Sequence, residues 1–97
     1  MTQKEEERIM AEIRSRNILD RKDFNALKDS AVKASKNDCQ MELIASIEEI
    51  RKHFSDRKKF MMKEYNKLSK ENQKIIQEYI NEDNDKMKNF ERQFDVS

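Results

Sequence analysis

From Leu43 onward the apolar side chains recur at helical intervals. Leu43, Ile47, Ile50, Phe54, Met61, Tyr65, Leu68, Ile75 and Tyr79 follow one another at three, four or seven residues, a spacing that lines up one face of an α-helix. Upstream the stripe is thinner. Ile9, Met10 and Ile13 mark one segment. Phe24, Leu27, Ala31 and Ala34, with Val32 beside them, mark another. Met87, Phe90 and Phe94 mark the last. The pattern predicts helices over about 3–17, 20–35, 39–80 and 84–95 in a single domain. Breaks are predicted near 17–20 and 36–38, with further candidate breaks at 68–69 and 81–85.

Local chemistry supports these positions. Glu5, Glu6 and Glu7 sit where a helix N-terminus favours anions, and Arg14 and Arg16 sit near the other end. Asp20 is placed to cap the second helix, with Asp23 as its reciprocal partner and Leu19 and Phe24 as a hydrophobic staple. Asn37 is placed to cap the third, with Gln40 in the reciprocal position. Ser69 is a candidate N-cap just after Leu68, and Asn81–Asp85 is a run of poor helix formers apart from Glu82. Ile50, Phe54 and Lys58 are spaced four and four, which reads as a stutter in the seam. Polar Asn72 falls between Leu68 and Ile75, where a single buried Asn can set helix register.

A helix over 39–80 would be about 60 Å long, whereas a compact chain of this size has a radius of gyration of roughly 12–13 Å. The first two helices together offer about 45 Å of cover. Leu68, Ile75, Ile76, Tyr79, Ile80, Phe90 and Phe94 would then stay bare, and apolar surface of that extent marks an interaction site. The expected fold is therefore all-α: an elongated helical hairpin or coiled-coil-like bundle with one long C-terminal helix, completed by oligomerisation. A turn at Ser69 that closes a four-helix bundle is the alternative.

Composition narrows the function classes. The 97 residues include no Gly and no Pro, which argues against hairpin-rich β folds and removes glycine-built phosphate loops. Charged residues reach 42% and hydrophobic residues only 35%, yet 21 basic side chains face 20 acidic ones for a net charge of +1. That balance argues against a wholesale polyanion binder. One cysteine excludes an intrachain disulfide and suits a reducing compartment, cytosol or nucleus. The opening MTQKEEERIM has no apolar core of a secretory signal, the closing Asp95-Val96-Ser97 matches no lipidation pattern, and no apolar run is long enough to span a membrane.

Charge is unevenly spread. Between Arg51 and Lys74 nine basic residues meet three acids, a local balance of +6, while 31–50 and 75–97 carry −2 and −3. On one helix Lys59, Lys63, Lys67, Lys70 and Lys74 would form a basic face. Such a face suits phosphates, or it is solvated, or it pairs with Glu78, Glu82, Asp83 and Asp85 of an antiparallel partner. Phe60 is the only aromatic close to that face, which gives little support to a stacking platform for single strands. Met61 and Met62, with Phe60 and Tyr65, make a soft apolar patch best suited to core packing.

Candidate catalytic groups are few. His53 has Ile50 three residues before it, so the Glu-x-x-His signature of di-metal bundles is missing, and Glu49 four residues before it suits a surface pair. Cys39 has no second thiol and no zinc-like spacing to a histidine, and on one helix it would lie about 21 Å from His53. The carboxylates are interleaved with bases, as in Glu64 with Lys67 and Lys74 with Glu78, and read as surface pairs. No catalysis, metal or cofactor is expected. The preferred reading is a non-catalytic helical scaffold or adaptor that assembles with itself or another protein through the seam, as a dimer or larger. A phosphate-backbone nucleic-acid binder using the basic face, and a small monomeric regulator that docks on a macromolecular target, are the alternatives.

Overall fold

The computed structural model describes residues 1–17 and 21–94. Every regular element among them is helical: α1 (Gln3–Ser15), α2 (Lys22–Lys36), α3 (Gln40–Tyr65) and α4 (Lys70–Gln93). The fold is all-α. The single helix expected over 39–80 is instead two helices joined by a tight reversal. Lys67 N–H donates to Glu64 O at 3.0 Å and Leu68 N–H to Tyr65 O at 3.2 Å, which tightens the end of α3. Ser69 is extended (φ −63°, ψ 160°) and its Oγ accepts from Asn72 N–H at 3.4 Å, opening α4 as an N-cap. The seam spacing runs unbroken through this point because Leu68, a turn residue, is itself buried in the tip.

The reverse correction applies at Asn81–Asp85, expected as an interruption but helical throughout. Asp83 in that run is buried and held by α3, and this tertiary anchor outweighs weak local propensity. At the α2–α3 junction Asn37 ends α2 and does not begin α3. Asp38 adopts the left-handed conformation (φ 59°), Cys39 N–H donates to Ala34 O at 2.8 Å, and Asp38 N–H donates to Ser35 O at 3.3 Å. This is a Schellman closure with Asp where Gly is usual. Cys39 leads into α3 without a side-chain cap. The Asp20 cap and its staple partner Leu19 lie outside the described residues. At that junction the Arg21 guanidinium donates to Ser15 O at 2.8 Å, satisfying a carbonyl at the end of α1.

The α3–α4 hairpin is the frame. α1 starts at its closed tip, where Glu6 meets Ser69 and Asn72, and runs inward until Ile13 reaches Arg57. α2 continues in the same direction over the open half, from Phe24 against Phe90 (ring centroids 6.1 Å apart) to the turn that begins α3. Two short helices in line thus make the third rod of a three-rod bundle. The result is elongated, 52 × 23 × 16 Å with a radius of gyration of 15.6 Å. Its apolar interior falls into two clusters. Ala31, Ala34, Leu43, Ile47, Ile50 and Phe90 fill the open half. Met10, Ile13, Met61, Leu68 and Ile76 fill the tip.

Candidate interaction surfaces and a buried ion pair

Between the two clusters lies a charged layer. Leu43, Ile47, Ile50, Phe54, Arg57 and Met61 step along α3 by fours and threes, so Arg57 occupies a core position. The stutter expected through Lys58 does not occur, because Lys58 is exposed and Arg57 carries the stripe. On α4 the corresponding ladder is Ile76, Ile80, Asp83, Met87, Phe90 and Phe94. Antiparallel pairing sets the two charged rungs against each other. Arg57 Nη1 donates to both carboxylate oxygens of Asp83 at 2.7 Å, with the side chains 4% and 10% exposed. Arg57 Nε donates to Ile13 O at 3.3 Å, and its guanidinium lies 5.1 Å from the Tyr79 ring centroid. Burial pushes the Asp83 carboxyl above its ordinary range, against the charge and hydrogen bonds of Arg57 that pull it down.

This pair sits where the third rod is broken. Ile13 O, at the end of α1, accepts from Arg16 N–H at 3.2 Å and takes a second hydrogen bond from Arg57 across the bundle. Nearer the open end Arg51 Nε donates to Glu91 Oε1 at 2.6 Å, in the same antiparallel register. Asp83 is taken by Arg57 of the same chain, not by the lysine face. Either ladder alone shows only a charge at an interior rung. The signal that finds the pair is that both rungs coincide once the chain reverses at Ser69.

All nine seam residues are used inside the chain. Leu43, Ile47, Ile50 and Phe54 pack in the open half; Met61, Tyr65, Leu68, Ile75 and Tyr79 pack in the tip. Ile76 is more deeply placed than Ile75, at 0% exposure. Asn72 sets an internal register, donating from Nδ2 to Glu6 Oε1 at 2.7 Å. The surplus apolar surface that called for a companion chain is covered by the fold-back of α4 and by α1.

The basic face is redistributed as well. Lys59 and Lys63 lie on α3, Lys67 in the turn, and Lys70 and Lys74 on α4, all exposed. Acids share this end. Glu64 Oε2 lies 3.8 Å from Lys67 Nζ. Glu6 Oε1 accepts from Ser69 N–H at 2.6 Å, and hydrogen bonds from Ser69 and Asn72 hold its carboxyl below the ordinary 4.5. His53 Nε2 is 3.8 Å from Glu49 Oε1, a surface pair. Cys39 is half-buried, with Sγ 3.7 Å from Asn37 O. The methionine patch divides: Met61 is buried, Met62 is 47% exposed, and Phe60 lies under the Arg16 guanidinium at 4.2 Å.

What remains outside is a stripe that periodicity of the core does not reveal. Among the described residues the large exposed hydrophobics are Met1, Met41, Ile44 and Met62. Three of them fall on one line along α3 (Met41, Ile44, Glu48, Arg51, Ser55, Lys58, Met62) whose steps are threes and fours and whose members are all exposed. At its centre a cleft of ≈ 160 Å³ opens between α3 and α4, where Ser55 and Lys58 border Ile80 and Met87. No group of three or more His, Cys, Asp or Glu placed to share a metal occurs among the described residues, and no helix there is long and apolar enough to cross a membrane. No protein-family model, curated protein or solved structure matches the chain.

Proposed function

We propose that this chain is a non-catalytic helical interaction protein that works as a folded bundle, docking on macromolecular partners through its outer faces. One observation carries the reading: the core seam is spent internally, while exposed apolar groups converge on a single line of α3. Solitary exposed hydrophobics are ordinary, but an aligned set has the layout of a contact surface. The buried polar groups support the same view. Arg57 and Asp83 satisfy one another and the end of α1, so their chemistry is directed at holding three helices. The lysines of the tip are interleaved with acids, which favours a protein partner over a phosphate backbone.

Native size in an extract of the cells that make the protein tests this. The chain is expected in an assembly larger than 11.8 kDa, released when Ile44 and Met62 are both replaced by Asp. Migration as a free single chain in the native extract would overturn the reading.

A further inference from the structure

The outer stripe of α3 is complementary to itself, and we infer that it pairs antiparallel with the same stripe of a second copy. The inference rests on the interaction reading above and names its partner. Place a twofold axis level with His53. Ile44 of one copy then faces Met62 of the other, and Glu48 faces Lys58. Each contact occurs twice by symmetry. The exposed hydrophobics Ile44 and Met62, 40% and 47% exposed, are therefore matched with each other at both ends of the contact, with Met41 at its rim. The unlike charges Glu48 and Lys58 meet between those ends and the axis. Arg51 and Ser55 face each other nearest the axis, and Arg51 is already held by Glu91 on its own α4.

This register is specific. The stripe alternates threes and fours, as antiparallel helix packing requires. A shift of one heptad breaks the apolar match: Ile44 would face Ser55 in one direction and a position past the end of α3 in the other. Lys52 flanks the axis on both copies, and Glu48 one turn before it on the same helix offsets its charge. The stripe lies on the exposed side of α3, so a second copy docks without disturbing the core. Contact along one helix per chain is at the small end of specific interfaces, so the dimer is weak and concentration-dependent.

The test is sedimentation of the purified full chain from micromolar to millimolar concentration. The wild type is expected to move from 11.8 kDa toward twice that mass. Glu48→Lys and Lys58→Glu should each weaken association about tenfold. The double reversal should restore it, and mixing the two single variants should give a heterodimer tighter than either variant alone. Ile44→Asp and Met62→Asp should abolish association while circular dichroism stays unchanged. Should either of these two unfold, the charge reversals at exposed positions still decide the matter. A single-chain mass at every wild-type concentration would overturn the inference, as would failure of the charge reversals to rescue one another. A lone purified chain alongside a large assembly in cell extract would sink this pairing and leave the interaction reading standing.

Discussion

Replacing Asp83 with Ala removes the only carboxylate paired with Arg57 among the described residues and leaves a guanidinium that is 4% exposed. With so little water at hand, solvent cannot take the place of the lost partner. Breaking a buried pair from one side destabilises by about 3–5 kcal/mol, because the surviving charge stays desolvated. Chains of this size are stable by roughly 5–15 kcal/mol, so the loss is a large share of the total. At roughly 4–8 °C per kcal/mol it lowers Tm by at least about 12 °C. Removing both charges, as Arg57→Met with Asp83→Leu, behaves differently. Exchange of a buried pair for apolar groups is neutral or stabilising by about 1–4 kcal/mol. The Ile13 carbonyl loses its bond from Arg57 but keeps the one from Arg16 N–H at 3.2 Å, so it adds only the modest cost of about 1 kcal/mol for one lost hydrogen bond. The double variant is thus expected near wild-type stability. Urea unfolding followed at 222 nm gives both values. A loss below about 1 kcal/mol for Asp83→Ala, or a double variant as unstable as the single one, would refute this account of the charged layer.

Other outcomes follow from the same structure. The folded carboxyl of Glu6 lies below its ordinary 4.5, so its contribution is whole above that value and fades as pH drops through the lower folded one; the gap in urea midpoint between wild type and Glu6→Ala should close in acid, and a gap constant into strong acid would contradict it. Asp38→Gly should raise stability by up to about 1 kcal/mol, since glycine holds the left-handed turn without strain; a lower thermal midpoint would count against the Schellman reading. Ile76→Ala should cost about 2–5 kcal/mol in a denaturant titration, as expected for a fully buried branched side chain, against under 1 kcal/mol for the exposed neighbour Gln77.

The all-α class is legible in the absence of glycine and proline and in the three-four spacing of apolar residues. The reversal after α3 is not, because Leu68 keeps the rhythm of the helix while belonging to the turn. Ser69 signals a cap, but whether a cap is used depends on what α4 gains by folding back, and that gain lies in Met61 and Ile76 meeting across the hairpin. Asn81–Asp85 misleads for the opposite reason: a polar run is helical here because Asp83 answers an arginine 26 residues away. The outer stripe escapes notice because Met41 and Ile44 look like spare core residues until the core is seen to be complete without them.

The division of the third rod also sets an order of events during synthesis. Of the four helices α1 leaves the ribosome before the rest, yet Ser69 and Ile76, which receive it, are among the last of its contacts to emerge. Meanwhile α2 and α3, joined by only a few residues, can close on each other as soon as both are out. Until α4 emerges, α1 has only its α3 contacts, such as Arg57 on Ile13 O, to hold it, and the closing of α4 over α1 is the step that completes the bundle.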